Sequence, residues 1–209
     1  MSDIEETGGA APCLLGEMEQ VALEVGRWRK AERVRLIAAR QALPVAARAA
    51  ADVWLGDALD ARLGAVSGRV IGLYWPIKGE PDLRAWAARC RAAGARIALP
   101  VVVAKGAPLV FRVWQADAVL ERGVWNIPIP GPEAEEVVPD VVISPLVGLG
   151  DETYRLGYGG GFYDRTLARI MASGATPVVI GVGYAFQRIA TIFPQPHDVP
   201  MGQALLAEI

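Results

Sequence analysis

The stretch Val137–Phe186, "VVPDVVISPLVGLGDETYRLGYGGGFYDRTLARIMASGATPVVIGVGYAF", decides the fold. It opens on "VVPDVVIS" and closes on "PVVIGVGYAF", two apolar, β-branched runs that read as strands buried on both faces. Between them, four glycines occupy five positions from Gly157 to Gly161, and a helical pattern then runs to Gly174. Giving up that many side chains between a strand and a helix has two explanations. One is a flexible hinge. The other is a backbone cradle, in which successive N–H groups converge on an anion at the positive end of the helix.

Working outward, strands and amphipathic helices alternate along the chain. The pattern predicts a helix from about Glu19 to Leu43, stopped by Pro44. A second helix runs from Pro44 through Ala58 or beyond, with Val53, Trp54, Leu55 and Leu59 as core candidates. "RVIGLYW" reads as a strand, and "DLRAWAARCRAAG" as a helix with Asp82 near its start and Gly94 just past its end. "RIALPVVVA" is the next strand, with Pro100 awkward at its middle, and "LVFRVW" pairs back antiparallel across the turn "KGAP". Residues 115–136 read as irregular and proline-rich, and "QALLAEI" as a last short strand or tail. The expected fold class is α/β: a single three-layer domain over residues 18–209, with a mostly parallel sheet and helices on both faces. Residues 1–17, acidic and without periodicity, are expected to form a flexible N-terminal tail.

Composition narrows the function. With 21 basic and 23 acidic residues the net charge is −2, which gives no bulk field for a nucleic acid or a membrane partner. The amino terminus lacks the basic and apolar regions of a signal peptide, and no apolar run approaches a membrane span. Cys13 and Cys90 form no framework and have no metal-like neighbours. A cytoplasmic protein, monomeric or a small homo-oligomer, is the expectation. Lysine stands only at Lys30, Lys78 and Lys105, so the positive charge is nearly all arginine. That suits phosphate recognition and equally suits a coding bias.

The glycine segment fails both familiar nucleotide templates. A P-loop needs Lys-Ser/Thr after its last glycine, where Phe162-Tyr163 stand, and the dinucleotide fingerprint needs a third glycine where Phe162 stands. Its flanks still favour an anion: Arg155 enters the loop, Arg165 leaves it, and Asp164 is placed to hold Mg²⁺ beside a triphosphate. The alternative is a tight connection with Asp164 and Arg165 as a surface pair. In the first helix Arg29, Arg33 and Arg40 fall within about 40° of one another on the wheel, a positive stripe or a solvated face.

"RLGYGGGFYDR" (155–165) resembles, nearly residue for residue, the signature of the 5-formyltetrahydrofolate cyclo-ligase (methenyltetrahydrofolate synthetase) family. "RKAERVRLIAARQALP" (29–44) resembles that family's basic first helix and "LYWPIKGEPDL" (73–83) its substrate-binding glutamate segment. "VGYAFQ" (182–187) with "FPQPHDVP" (193–200) resembles its C-terminal part. The likeness covers about residues 27–208.

The resemblance implies an enzyme that closes 5-formyltetrahydrofolate to 5,10-methenyltetrahydrofolate. ATP, as co-substrate with Mg²⁺, phosphorylates the formyl oxygen, and ADP and phosphate are released. It implies that Arg29, Lys30 and Arg33 contact ATP, Arg29 standing where the family usually has lysine. Arg155, Leu156, Gly157, Tyr158, Gly159, Gly160, Gly161, Phe162 and Tyr163 are implied to wrap the phosphates, with Arg155 and Tyr163 as catalytic candidates. Tyr158 to Phe162 also line the folate side, with Trp75 on its rings and Glu80 hydrogen-bonded to it. Asp164 is the implied Mg²⁺ ligand. From the residues alone the better reading is Glu80 as a turn or helix-start acid and Trp75 as a core aromatic ending a strand.

Three departures stand against the family pattern: Leu149-Gly150 for Phe-Asp, Ile129 for an acid in "IPIP", and Gly202 for an aspartate that helps to hold Mg²⁺. Asp198, Glu208 or water are the substitutes for that last group. His197, the sole histidine, is expected to cap or pack locally. The alternatives are a degenerate relative that binds nucleotide or folate without turnover, and an unrelated activity on the same scaffold.

Overall fold

Long apolar runs become parallel strands only when both faces are covered, and this chain has the helices to cover them. The structure, a computed structural model, describes residues 12–209, with side chains from Glu17 onward. Helix α1 (Pro12–Gln41) is followed by α2 (Val45–Leu63), and the extended backbone of Pro44 (φ −57°, ψ 144°) separates them. Then come β1 (Val70–Gly72), α3 (Arg84–Ala92), β2 (Arg96–Val101) and β3 (Val110–Val113). A small hairpin, β4 (Glu121–Arg122) with β5 (Pro128–Ile129), precedes β6 (Glu136–Val137) and β7 (Val141–Pro145). A second small ladder, β8 (Gly148–Leu149) with β9 (Arg155–Leu156), leads into α4 (Phe162–Ala172), β10 (Val178–Tyr184) and β11 (Gln203–Ala207).

The main sheet has seven strands in the order β11-β10-β7-β1-β2-β3-β6. The first five are parallel, and β3 and β6 add antiparallel pairings at one edge. Side chains alternate across it. Val141 and Ile143 of β7 enter one cluster with Leu55 and Leu59 of α2 and Trp86 of α3, while Val142 enters another with Leu167 of α4. The three layers and the mostly parallel sheet are as the sequence predicts.

Several boundaries differ. Helix α1 begins at Pro12, so residues 12–17 of the expected tail are helical, and residues 1–11 lie outside the described residues. Val53 and Trp54 are exposed, and the buried face of α2 is instead Ala51, Leu55 and Leu59, spaced by four. "RVIGLYW" pairs over three residues only, and "VVPDVVIS" is split at Pro139 into β6 and β7. Pro100 lies within β2, past the point where β1 stops at Gly72 opposite Ala98. Gly94 does close α3: at φ 91° it lets the Ala95 amide reach the Cys90 carbonyl at 3.0 Å.

Because β1, β2, β7 and β10 run the same way, their carboxyl ends share one edge. The N-terminus of α4, the crossover helix between β7 and β10, lies there too. Open α/β sheets bind ligands in the crevice outside that edge.

Candidate active site

A cavity of about 300 Å³ opens at this edge. Its floor is the glycine loop. Gly159 (φ 96°) and Gly161 (φ 62°) are left-handed, and Gly161 is the N-cap of α4. A side chain on Gly159 would be strained by its positive φ, and its Cβ would press on the Arg33 guanidinium carbon at 3.3 Å. The loop's carbonyls are taken by arginines, Gly157 by Arg33 Nε at 2.6 Å and Gly160 by Arg165 Nη2 at 2.6 Å. Among the described residues the amides from Tyr158 to Gly161 donate to no protein acceptor. Unsatisfied amides at a helix start are what an anion needs. The hinge explanation does not account for carbonyls pinned from two sides.

Arg155 is buried. It donates to Ser144 Oγ at 2.5 Å and to Asp164 Oδ1 at 3.1 Å, with its guanidinium 4.8 Å over the Tyr163 ring. Ser144 is a hydroxyl inside an otherwise apolar strand, and this contact explains it. The Tyr163 hydroxyl is buried with no hydrogen-bond partner among the described residues, and burial raises its pKa. Asp164, in the first turn of α4, also lies 3.4 Å from the Val199 amide. That draws the C-terminal segment over the loop.

The arginine stripe divides. Arg33 reaches the loop, and burial followed by the nearby Arg29 charge lowers its pKa. Arg29 donates to the Ile192 and Phe193 carbonyls (2.8 and 2.9 Å) and to Asp198 Oδ2 (2.5 Å). Arg40 lies fully buried and does not line the cavity. Lys30 is exposed and also stands outside the lining. Asp198 and His197 line the cavity, and His197 is exposed rather than packed, its ring 75% accessible. Among the described residues no three or more acids, histidines or cysteines cluster to hold a metal unaided. Asp164 and Asp198, each paired with an arginine, both line this end of the cavity, and carboxylates are the donors Mg²⁺ takes together with phosphate oxygens and water.

At the other end the cavity turns apolar. Glu80 is buried there, accepting from the Ile77 amide (2.9 Å) and the Tyr158 hydroxyl (2.8 Å). Burial raises its pKa, and the Arg40 charge opposes the rise. Trp75 lines the same end, edge-on to Trp114 at 5.8 Å and covered by the Arg84 guanidinium at 4.9 Å. Leu99 and Pro100 come from β2, and Leu109 from the residue before β3. The far wall is the tip of the β4–β5 hairpin, where Trp125 (φ 58°) meets Phe162, the first residue of α4, at 5.9 Å. Sequence reasoning passed over this hairpin as irregular chain. A tryptophan between two turn-forming segments was the signal available.

The family departures fall in different places. Ile129 lines the apolar wall. Leu149 and Gly150 are buried outside the lining, where a Cβ on Gly150 would sit 3.0 Å from the Ile192 amide nitrogen. Gly202 precedes β11 at the foot of the sheet, one step before the Gln203–Ile180 pair, and is not part of the lining. Cys90 is buried and its thiol is pushed up to about 11, which leaves it unreactive. The side chain of Cys13 lies outside the described residues.

The chain is similar to known proteins. The sequence profile described as the 5-formyltetrahydrofolate cyclo-ligase family covers residues 25–207. A 5-formyltetrahydrofolate cyclo-ligase of Mycolicibacterium smegmatis is 33% identical over 147 residues, 67% of this chain and 74% of that one. One from Escherichia coli is 30% identical over 141 residues, 65% of this chain and 76% of that one. The solved 5,10-methenyltetrahydrofolate synthetase of Aquifex aeolicus superposes with a TM-score of 0.70 at 27% identity, covering 83% of this chain and 86% of that one. With residues 25–207 matched, well over half of its length, the chain belongs to the 5-formyltetrahydrofolate cyclo-ligase family.

Proposed function

We propose that this protein converts 5-formyltetrahydrofolate to 5,10-methenyltetrahydrofolate with ATP and Mg²⁺, releasing ADP and phosphate. The observation that carries the reading is one cavity with two chemically different ends. Free amides and arginines at one end suit a triphosphate, and a buried acceptor under aromatic and apolar walls at the other suits a flat, donor-rich pterin. The glycine loop, with Tyr158, joins them. Arg29, Arg33, Arg155 and residues 156–163 form the nucleotide side. Trp75, Glu80 and residues 158–162 form the folate side.

The formyl oxygen is a poor leaving group. Taking the γ-phosphoryl from ATP makes it a good one, and ADP departs. N10 then attacks the activated carbon, the carbon–oxygen bond breaks, and that oxygen leaves with the phosphate as N10 gives up its proton. The chain's part is to hold the γ-phosphate in line and stabilise the spreading charge, with Arg155 and Tyr163 as the candidate donors. Mg²⁺, held by Asp164 with Asp198, would supply charge neutralisation on the phosphates.

A relative that binds without turnover is the competing reading. It drew on Ile129, Gly150 and Gly202, and only Ile129 lines the cavity, which favours turnover. No described helix is long and apolar enough to cross a membrane, and we place the protein in the cytoplasm as a monomer or small homo-oligomer. The test mixes protein, Mg-ATP and 5-formyltetrahydrofolate and follows the methenyl chromophore together with ADP. One ADP per methenyl group is expected. Saturable ATP binding without the chromophore would replace this reading with the binding one, and binding of neither ligand would overturn both.

A further inference from the structure

Helix α1 sends one arginine where the others do not go. Arg40 is fully buried. Its Nε donates to the Lys78 carbonyl at 2.9 Å, Nη1 to the Leu146 carbonyl at 3.0 Å and Nη2 to the Tyr158 hydroxyl at 2.5 Å. It touches the segment before Glu80, the end of β7 and the glycine loop at once, yet stays behind the cavity wall.

These bonds have a fixed direction. A guanidinium can only donate, so the Tyr158 oxygen is the acceptor toward Arg40. Tyr158 has a single hydroxyl proton, and it goes to Glu80 Oε1 at 2.8 Å. The Ile77 amide occupies Oε2 at 2.9 Å. Each Glu80 oxygen thus already accepts one bond from the protein, and its remaining lone pairs are available to a donor in the cavity.

We propose that Arg40 is a positioning residue for substrate: through the Tyr158 hydroxyl, and through its own charge 3.9 Å from Glu80, it presents Glu80 as an ionised acceptor for N–H donors of the folate ring. The inference rests on the reading of Glu80 as a folate contact.

Arg40 is the strongest influence keeping Glu80 ionised, ahead of the bonds from the Ile77 amide and the Tyr158 hydroxyl. The groups facing it are Lys78 from its own loop, Tyr74 after β1, Tyr158 from the glycine loop, Tyr163 from α4 and Tyr184 at the end of β10. The tyrosines are neutral, their pKa values all raised by burial. Lys78 is exposed, so solvent screens it. A carboxyl already pushed up by burial moves further when the buried cation is removed, and only its ionised form can accept from two ring N–H groups.

The test is titration of the full chain with 5-formyltetrahydrofolate alone, without ATP, from about pH 6 to about pH 9, alongside steady-state kinetics. The parent and Arg40→Lys bind with a flat pH profile. Arg40→Met loses affinity toward low pH, approaching tenfold per pH unit below the new Glu80 pKa, and recovers as the pH rises. Its KM for folate follows that slope while its KM for ATP does not. Tyr158→Phe, which keeps both carbonyl bonds of Arg40, binds several-fold more weakly at every pH, and Glu80→Gln is weak and flat.

Equal, pH-independent weakening in Arg40→Met and Arg40→Lys would mark a merely structural role and overturn the proposal. Should Arg40→Met not fold, parent-like affinity in Tyr158→Phe overturns it instead. If Glu80→Gln binds like the parent, the folate assignment of Glu80 fails and this inference falls with it. A weak Glu80→Gln beside a flat, parent-like Arg40→Met sinks the role of Arg40 alone.

Discussion

The two ends of the cavity are built in different ways. The end proposed for the nucleotide comes mostly from one contiguous segment, residues 155–164, in which backbone amides, glycine conformations and the start of α4 are fixed by local sequence. The end proposed for the folate is assembled from far apart: Trp75 and Glu80 after β1, Pro100 on β2, Trp125 on a hairpin tip, and Tyr158 from the glycine loop. A site made of backbone tolerates few substitutions but needs few partners. A site made of dispersed side chains can be retuned one wall at a time, and each wall depends on the packing behind it.

The largest effect is expected where the contiguous end has its few side chains. Asp164→Asn removes a proposed Mg²⁺ ligand and also the carboxylate that holds Arg155 at 3.1 Å. Activity should fall on the order of 100-fold, with part of the loss recovered at raised Mg²⁺. The folate KM should stay within about twofold, because Glu80 and its partners are untouched. A rise in folate KM as large as the fall in kcat would break the division between the ends. The converse substitution is Glu80→Ala, which deletes the buried acceptor. A hydrogen bond to a charged group contributes about 1.5–3 kcal/mol, so the folate KM should rise roughly 10- to 100-fold while the ATP KM holds. The melting temperature should drop as well, since Arg40 would be left as a buried charge without its acid. Initial-rate kinetics varying each substrate in turn reads both variants.

How much of this is legible in the sequence follows the same division. Gly159 and Gly161 needed no knowledge of tertiary partners, because left-handed backbone at a strand-to-helix junction is a local demand. Arg29, Arg33 and Arg40 do share a face of α1, but angle on the wheel ignores depth along the axis. Eleven residues of helix span about 16 Å, which carries Arg40 past the cavity and beneath Glu80. Val53 and Trp54 misled for the same kind of reason: their apolarity was visible, whereas the i, i+4 row of Ala51, Leu55 and Leu59 chose the buried face. The hairpin was invisible because its strands are two residues each and its role comes from a contact across the cavity, Trp125 on Phe162.

That contact gives a smaller, sharper test. Trp125 is 67% exposed, so Trp125→Ala should change stability by no more than about 0.5 kcal/mol. As an aromatic wall of the folate end it should still raise the folate KM by about 2- to 10-fold, the usual range for one aromatic contact. Thermal melts and folate titration together decide. Unchanged stability with unchanged KM would remove the hairpin from the site, and the dispersed end would lose its far wall.

The smallest expected effect concerns the residue that most seemed to weaken the metal site. If Gly202 marked a lost ligand, restoring the acid with Gly202→Asp should tighten Mg²⁺ dependence. The geometry argues otherwise. Gly202 sits at the foot of the edge strand beside Val179, where a new Cβ would lie 3.6 Å from the Val179 carbonyl, an ordinary contact without backbone strain. The chain has by then run down from Asp198, the acid that lines the cavity and is paired with Arg29. Gly202→Asp should therefore fold normally and leave the half-saturating Mg²⁺ concentration within about twofold of the parent. Asp198→Asn should raise it by about 10-fold or more. A gain in Mg²⁺ affinity from Gly202→Asp, with no loss from Asp198→Asn, would move the second carboxylate of the nucleotide end from Asp198 to the foot of the sheet.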